Sequence, residues 1–497
     1  MSNKNITILG AGLGGLITGA ILAKEGHQVT LVEKNHHVGG GLQSYKRFGT
    51  IFDTDMHLFG GMKPDGNIRK ICDYLGIVDQ FKVKNLDDSR NVDIYVDEEQ
   101  KSYYVNLCKE GFVESFSAYF PNQADNLEQY LKAVNHIMDH FDLFYLRPKR
   151  RPLYEYTDDF KMPANVFIAK YVNDKKLQSL LAIVNLLYAG EADVTPAFLH
   201  AAISTIFLNG ACRVAGGYST FADALADCIN KHGGKIIIDC PINEIVTENR
   251  MVKSIKADKF SIPCDCLISA IPPKTMVSLL NNRKALSNAY QTLVFEKKDS
   301  LSAFIINIKL KKDTLKFSNR IGFFLKHYDS VWKAYTGGDI EKFLYMTPPS
   351  HNQDEYAETL NIIVPMEWSL VKKWEDTKQG HRTNDYFAFK TSVYEAVMKE
   401  LSKIVPNIQD MVDKADTATP LTIRDYTGVG SGAMCGGRKD CNSTLQFLPV
   451  ATRIPNLFIT GQNVFMHGFC GVTLTAIQTC EAILGEDYIV NKLNNIK

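Results

Sequence analysis

The chain has 497 residues and a formal net charge of +1, with 45% apolar and 22% charged residues. This ordinary globular composition excludes disorder, collagen-like repeats and a coiled coil. The balanced charge gives no general attraction to nucleic acid, because phosphate binding needs a clear excess of lysine and arginine. The 11 cysteines form no CxxC pair. We therefore expect no disulfide framework, no metal site and reduced thiols in the cytoplasm.

The first predicted elements are a strand at Ile6–Leu9, a helix at Leu16–Lys24 and a strand at Gln28–Val32. The turn between the first strand and the helix carries a GxGxxG pattern, and Glu33 ends the second strand. Glycines there permit a tight turn, close approach of backbone to a pyrophosphate and close helix packing. The N–H groups at the helix N-terminus attract phosphate.

This arrangement predicts a dinucleotide site, with Glu33 at the ribose hydroxyls. The predicted cofactor-binding residues of this turn are Gly10, Gly12, Leu13, Gly14 and Gly15, with Gly12 at the pyrophosphate. The uncharged run 6–23 is also compatible with a signal peptide or a short membrane span. Its glycines disfavour both interpretations.

A second glycine cluster follows in the stretch KNHHVGGG. A simple NAD domain would continue into its next helix here, whereas a second glycine loop lets backbone pass close to a longer ligand. The cluster therefore favours FAD, with predicted contacts at Lys34, Gly40, Gly41 and Leu42.

Several motifs resemble those of the family of FAD-dependent phytoene desaturases, carotenoid isomerases and retinol saturases. The stretch Gly49–His57 is similar to the family pattern G-x-x-F-D-x-G-x-H, with Asp55 in place of the usual glycine. Thr419–Gly428 is similar to the TP-x-T-x(3)-Y-T stretch, and Gly461–Gln462 is typical of the retinol saturase branch. Gly41 stands where the family often has an arginine.

The resemblance covers nearly the whole chain and implies an α/β fold. It implies a discontinuous, doubly wound Rossmann-type FAD-binding domain, glutathione-reductase-like, with an inserted α+β substrate domain. The implied segments are 1–70, 211–285 and 416–497 for FAD, and 71–210 and 286–415 for substrate. Apolar spacing predicts further helices at Leu127–Tyr145, Ser179–Gly190, Ser219–Lys231 and Leu474–Leu484, and strands at Lys235–Asp239, Ser261–Ala270 and Ser302–Leu310.

The resemblance also implies further cofactor contacts. Backbone at Ile242 would meet the adenine, and a glycine turn opening the last predicted helix would face the flavin. The residues at that turn are Gly461, Gln462, Gly471, Val472 and Thr473.

The implied chemistry is hydride transfer between flavin N5 and a polyene or isoprenoid carbon. The candidate polar residues near the reaction are His57, Tyr218, Arg424, Tyr426 and His467. His57 and His467 are equally compatible with structural roles. Saturation, desaturation and isomerisation all stay open; the saturase-like features favour a reductase, for which NAD(P)H could serve as external reductant.

Two other classes compete with this interpretation: another flavin amine-oxidase-like enzyme, and a prenyl-lipid escort of the Rab GDP-dissociation-inhibitor type. The expected partner is an apolar small molecule and not nucleic acid.

The segment Phe141–Arg151 ends in a basic cluster. It is compatible with a solvated loop after a core helix, or with a membrane-facing edge on anionic lipid. We therefore expect a cytoplasmic protein, with membrane association as an alternative. The aromatic residues of 332–368 are compatible with core or with cavity lining.

Overall fold

The computed structural model describes residues 4–149, 158–350, 355–443 and 447–496. A five-stranded sheet forms the centre of one half of the fold, and all its neighbouring strands are parallel. Its strands, in spatial order, are Lys235–Ile237, Gln28–Val32, Asn5–Leu9, Cys266–Ser269 and Leu457–Ile459. Segments far apart in the sequence therefore build one sheet.

This parallel sheet is covered on both faces. Helices Leu13–Lys24, Ser219–Lys231 and Gly468–Leu484 cover one face. The other face packs against a three-stranded antiparallel sheet and two helices. Side chains alternate across a strand, so Ile8 packs under the helices and its neighbour Leu9 packs into the opposite core.

A second, seven-stranded sheet forms the other half of the fold. Its strands, in spatial order, are Val412–Ala418, Ser302–Leu310, Thr359–Met366, Lys342–Met346, Ile321–Leu325, Val92–Val96 and Lys101–Val105. The pairs are antiparallel except that of Ile321–Leu325 with Val92–Val96. Helices including Ala124–Met138 and Ala197–Leu208 pack on one face, and helix Asn384–Leu401 packs on the other. Both faces are therefore buried.

The remaining elements are short. The strands are Ser44–Arg47, Thr50–Asp53, Phe59–Gly60, Val83–Asn85, Ala211–Val214, Glu244–Glu248, Met251–Lys256 and Ser261–Pro263. The helices are Asn67–Leu75, Phe112–Ser117, Ala164–Tyr171, Lys175–Leu181, Pro273–Leu279, Asn288–Glu296, Ile408–Met411, Pro420–Thr427 and Tyr488–Asn494. Among the described residues no single helix is long and apolar enough to cross a membrane. Gly468–Leu484 and Tyr488–Asn494 reach that length and composition only as a pair bent by 120°.

The predicted α/β class is confirmed, as are the elements Gln28–Val32, Ser219–Lys231 and Ser302–Leu310. The exact domain boundaries stay a prediction. Several predicted bounds are wrong. The first helix already begins at Leu13, and the stretch 261–270 divides into an antiparallel strand and a parallel one. The helix that was expected to be the last begins at Gly468, and another helix follows it.

The two apolar helices of the middle segment are also shorter than predicted. The first ends at Met138, because the apolar residues beyond it point into different cores: Phe141 into one and Leu143 into another. A single helical face cannot do this. The second ends at Leu181 and continues as a 3-10 helix over Ala182–Leu187.

The membrane-facing role proposed for Phe141 is wrong, because its side chain is buried and stacks on Phe160. Phe144 and Tyr145 are partly buried. Arg147 forms ion pairs with Asp139 and Asp142. Arg150 and Arg151, the end of the basic cluster, lie outside the described residues. Membrane contact at this segment stays a prediction.

Replacing Gly15 with alanine tests the contact that joins the first strand to the first helix. A Cβ atom on Gly15 would lie 2.0 Å from the backbone oxygen of Gly10. Relieving this contact would require a shift of backbone, which costs energy. We therefore expect Gly15→Ala to lower the free energy of unfolding by about 1–3 kcal/mol, as overpacking does. Urea denaturation of the apoprotein measures the change.

The matched control is Gly12→Ala, because a Cβ on Gly12 has nothing within 4 Å. The apoprotein of this control should unfold like wild type. Equal stability of the two variants would contradict the packing argument.

Candidate functional site

One large cavity lies between the two sheets. It begins at the carboxyl ends of the parallel strands, where Leu9, Val32, Ala270 and Thr460 reach its wall. Ligands of open parallel sheets bind at this edge, where the connections to the helices leave a crevice. The cavity continues to the seven-stranded sheet.

Bare backbone forms the first half of the cavity. A Cβ on Gly14 would lie 3.0 Å from the Cα of Gly461, and one on Gly40 would lie 3.1 Å from the Cα of Gly12. The three glycine loops therefore touch each other without room for side chains. Gly12 itself faces open space, which leaves a cradle for a ligand.

Two helix N-termini reach this glycine half. The helix Leu13–Lys24 begins after Gly12, and the helix Gly468–Leu484 begins after His467. In neither helix does the side chain of the N-cap residue accept a hydrogen bond from the backbone N–H groups of the first turn. The free N–H groups and the positive dipole ends favour negative charge. A pyrophosphate at the first helix and a reduced flavin ring at the second would meet this preference.

Glu33 ties the first glycine turn to the second strand. Its carboxylate is buried and accepts hydrogen bonds from the backbone N–H groups of Ala11, at 2.7 Å, and Asn35, at 2.9 Å. A carboxylate has about four acceptor positions. Glu33 lines the cavity and therefore keeps acceptor capacity for ribose hydroxyls.

The second half of the cavity is aliphatic. Four neighbouring strands of the seven-stranded sheet, the helix Ala197–Leu208 and the 3-10 helix before it supply its wall. The aliphatic and aromatic residues are Leu58, Leu186, Leu187, Ile203, Ile206, Phe207, Ala303, Ile321, Leu344, Met346, Ile363 and Met434. The aromatic residues considered from the sequence, Trp332, Tyr335, Phe343, Tyr345 and Trp368, do not line it.

The two predicted histidines are on the cavity wall and are neutral. Burial, and then the positive charge of Arg213, lower the pKa of His57 to about 4. Burial, and then Lys439, lower the pKa of His467 to about 3. The Nε2 atoms of both rings have no hydrogen-bond partner among the described residues, and neither has the hydroxyl of Thr460. These atoms are free to bond a ligand.

Most predicted cofactor residues come together on this wall. Those lining the cavity are Gly10, Gly12, Leu13, Gly14, Glu33, Lys34, Gly40, Gly41, Leu42, Ile242, Gly461, Gln462 and Val472. Gly15, Gly471 and Thr473 do not line it. Gly15 packs against Gly10, and the Thr473 hydroxyl donates to the Phe469 carbonyl inside its own helix.

Three of the predicted catalytic residues lie away from the aliphatic half. Tyr218 is buried behind Phe59, with the two ring centroids 6.0 Å apart, and does not reach the cavity. The Arg424 guanidinium donates to the Glu375 carbonyl and to Asp425. Tyr426 is half exposed at the rim, where its carbonyl accepts a hydrogen bond from Asn35, beside the adenosine end. Contact of these three with the reacting atoms is therefore not supported.

Two features of the wall are absent from the predicted site residues. Ile203, Ile206 and Phe207 have the i, i+3, i+4 spacing of one helical face, and that spacing was a usable signal. Asp55 was noted only as a departure from a motif, yet its carboxyl group lines the cavity.

The residues fit FAD. The cradle at Gly12 is open, two helix N-termini face it, and unpartnered polar atoms surround its far end. Gly10, Gly12, Gly14 and Glu33 would hold the adenosine diphosphate part, and the turn at Gly461 would hold the flavin part. When bound, the flavin supplies two-electron chemistry. Among the described residues no group of three or more metal-ligating side chains exists.

Comparisons with known proteins agree with this geometry. The sequence profile of the family described as "Flavin containing amine oxidoreductase" matches residues 13–319. The all-trans-retinol 13,14-reductase of Danio rerio is 22% identical, over 96% of this chain and 85% of its own length. The 4,4'-diapophytoene desaturase of Staphylococcus haemolyticus is 23% identical, over 96% and 98%. The chloroplastic prolycopene isomerase of Daucus carota is 22% identical, over 96% and 80%.

Solved structures show the same fold. The crystal structure of an oxidoreductase from Methanosarcina mazei superposes with a TM-score of 0.66 at 17% identity, and the match covers 96% of this chain and 100% of that one. The predicted Rossmann-type FAD domain with an additional substrate domain is thereby confirmed.

Replacing Gly12 with valine tests the cradle. The backbone at Gly12 is extended, with φ −73° and ψ 176°, which valine adopts without strain. Its side chain would enter the space expected for the pyrophosphate. We expect Gly12→Val to fold but to lose bound FAD, with an affinity at least about tenfold lower, equal to about 1.4 kcal/mol. Absorption of protein-bound flavin after gel filtration gives the stoichiometry, and full occupancy would contradict the assignment.

Proposed function

This chain belongs to the flavin-containing amine oxidoreductase family, and we propose that it saturates a carbon–carbon double bond of an apolar polyene by hydride transfer from the flavin. The aliphatic half of the cavity carries this proposal. Its described wall offers an uncharged hydrocarbon a long apolar surface next to the glycine cradle. Burying such a substrate gains about 25 cal/mol per Å² of apolar surface.

The charge distribution on the wall supports an uncharged substrate. The lysine on the described wall is Lys34, which lies at the adenosine end beside Gly428. His57 and His467 are neutral because burial lowers the pKa of each ring. A polyene needs no counter-charge, whereas a charged substrate would need a partner in this low-dielectric space.

Saturation is favoured over the reverse reaction by the relatives. Proteins named all-trans-retinol 13,14-reductase match over 96–97% of this chain. The Gly461–Gln462 pair points the same way, by its resemblance to the saturase branch. Desaturation and isomerisation are the activities that the names of two other relatives print, and they are distinct outcomes of the test below.

Saturation consumes two electrons in each turnover, so the flavin must be reduced again. We propose a reduced nicotinamide, NAD(P)H, as the donor, because it delivers a hydride in one step. A polyene is poorly soluble in water, which supports pickup from a membrane surface by a cytoplasmic protein.

Amine oxidation is the second candidate. The family description supports it, and the Asp55 carboxyl on the wall could pair with an ammonium group. Two aromatic side chains on the wall, Phe59 and Phe469, stack on each other with centroids 4.3 Å apart. They therefore do not form an aromatic cage with room for an amine between them. The aliphatic wall beside the cradle fits a polyene better.

Product mass after anaerobic incubation tests the proposal. Holoprotein reduced with dithionite is mixed with all-trans-retinol, with a phytoene-type carotene or with putrescine. We expect one of the polyenes to gain two hydrogens while the absorption of oxidised flavin returns. The Gly12→Val variant, which keeps the fold without the cofactor, is the matched control and should give no product.

Other outcomes are diagnostic. Loss of two hydrogens from a polyene with oxidised holoprotein would show a desaturase, and an unchanged mass with a new isomer would show an isomerase. Hydrogen peroxide formed from putrescine in air would show an amine oxidase. Each of these results without saturation would contradict the proposal.

A further inference from the structure

Asp55 is an acid on the cavity wall to which the cofactor motifs give no role. It lies on the segment that leaves the hairpin Ser44–Arg47/Thr50–Asp53. Two backbone hydrogen bonds fix this segment against the second glycine loop: Met56 N–H donates to the Gly41 carbonyl at 3.2 Å, and Thr54 N–H donates to the Gln43 carbonyl at 3.0 Å.

The carboxyl group stands over Gly41. A Cβ atom on Gly41 would lie 2.8 Å from Oδ2 of Asp55, so a side chain at position 41 would displace this carboxyl group from its present position. On its other side, Met56, His57 and Leu58 continue the wall towards the aliphatic half. Asp55 therefore lies where the glycine cradle ends and the substrate space begins.

Asp55 also lacks the partners that a structural aspartate has. Its near neighbour Asp53 accepts hydrogen bonds from the Ser44 hydroxyl, at 2.6 Å, and from the backbone N–H of Tyr218, at 2.9 Å. No hydrogen bond or ion pair to the Asp55 carboxyl exists within the part of the chain that the structure describes. Asp55 is partly exposed on the cavity wall, and a carboxyl group without partners there is expected to hold its proton once bound ligands exclude water.

We propose that Asp55 is the catalytic acid of this cavity, because its unpartnered carboxyl stands at the boundary between the cofactor cradle and the aliphatic wall. This inference rests on the proposed saturation. In that step the π bond of the substrate breaks, and one new C–H bond forms with a hydride from the reduced flavin. The other forms with the proton of Asp55.

The balance of the step explains why an acid is needed. Hydride addition alone would leave a carbanion beside an aliphatic wall, where an unpaired charge on carbon is costly. The proton of Asp55 moves that negative charge from carbon to the two oxygens of the carboxylate, which is a far weaker base, and the product carries two more hydrogens. Asp55 is left as a carboxylate and regains its proton from water, while a reduced nicotinamide restores the two electrons.

Charge around Asp55 is consistent with this role. Burial raises the pKa of the Asp55 carboxyl to about 7. The titratable groups that share this part of the wall are His57, His467 and Cys435. The rings are neutral, and burial raises the pKa of the Cys435 thiol. Arg213 lies behind His57, where its guanidinium donates to the carbonyls of Thr347 and Arg320.

The test compares Asp55→Asn, which keeps the shape but cannot donate a proton, with Asp55→Gly, which restores the glycine of the resembling motif. Asp65→Asn, on an exposed loop, is the matched control. The first measurement uses oxidised holoprotein without substrate. Infrared difference spectra across pH should show two titrating protonated carboxyls in wild type and in Asp65→Asn: Asp55 near pH 7, and Asp53, whose pKa burial raises to about 6. Only the Asp53 signal should remain in both Asp55 variants.

Stability gives a second readout without substrate. The folded-state pKa of Asp55 is above the value of about 4 in an unfolded chain. The loss of folding stability that comes from ionising Asp55 is therefore absent below pH 4, grows as the pH rises and is complete above pH 7. We expect Asp55→Asn to melt at the wild-type temperature at pH 4 and several degrees higher at pH 8.

The third measurement is the rate at which a polyene reoxidises the reduced holoprotein in a single anaerobic turnover. The wild-type rate should fall above about pH 7, as the acid loses its proton. Asp55→Asn should be slower by a factor of about 10²–10⁴ and should lack this pH dependence, with FAD occupancy unchanged. An unchanged rate in Asp55→Asn would overturn the proposal, and so would loss of FAD as the sole cause of inactivity.

The two proposals can fail separately. If wild type saturates no polyene, the function is wrong. The infrared and stability measurements still decide whether Asp55 holds a proton near neutral pH. Absence of the titrating Asp55 carboxyl in an active wild-type enzyme would overturn the inference about Asp55 alone.

Discussion

The close approach of bare backbone from distant segments is the constraint on which this structure depends. Gly15 lets the first helix rest on the first strand, and Gly14 meets Gly461 from the last parallel strand's end. Because no side chain fits at these contacts, backbone N–H groups and two helix N-termini remain turned towards one cavity. A ligand with anionic and hydrogen-bonding groups satisfies them. The binding of FAD is thus built into the packing, and the same glycines serve the fold and the cofactor.

The two halves of the cavity follow opposite physical rules. The glycine half presents polar backbone and dipoles, whereas the aliphatic half presents side chains from a sheet that is buried on both faces. Strand alternation produces this second surface: Ile363 faces the cavity, while its neighbours Ile362 and Val364 pack into the opposite core. The junction of the halves brings the cofactor cradle next to an aliphatic wall, and the low polarity of that wall strengthens electrostatic interactions beside it.

The sequence predicted the glycine half well because its signals are local. A turn, a helix and an acid at fixed spacing identify the first segment. The sequence predicts that this helix begins at Leu16, because the two glycines before it are poor helix formers that indicate a turn, whereas the observed helix begins at Leu13. The aliphatic half depends on contacts between residues hundreds of positions apart, and a local period such as that of Ile203, Ile206 and Phe207 indicates one apolar face without its partners. The strand Ser302–Leu310 was predicted with the right bounds, but not its partners. The predicted helix continues to Tyr145, but the apolar residues between 139 and 145 pack into two different cores.

Tyr218 and Arg424 show why polar residue type alone does not locate chemistry. Each was a plausible participant by its functional group, yet Tyr218 packs behind Phe59 and Arg424 is held by Asp425 and the Glu375 carbonyl. The histidines that do reach the wall, His57 and His467, are instead uncharged in place. The burial that keeps His57 and His467 neutral also favours the protonated form of Asp55. The same part of the wall thus holds two neutral imidazole rings and a protonated carboxyl group beside the cofactor cradle.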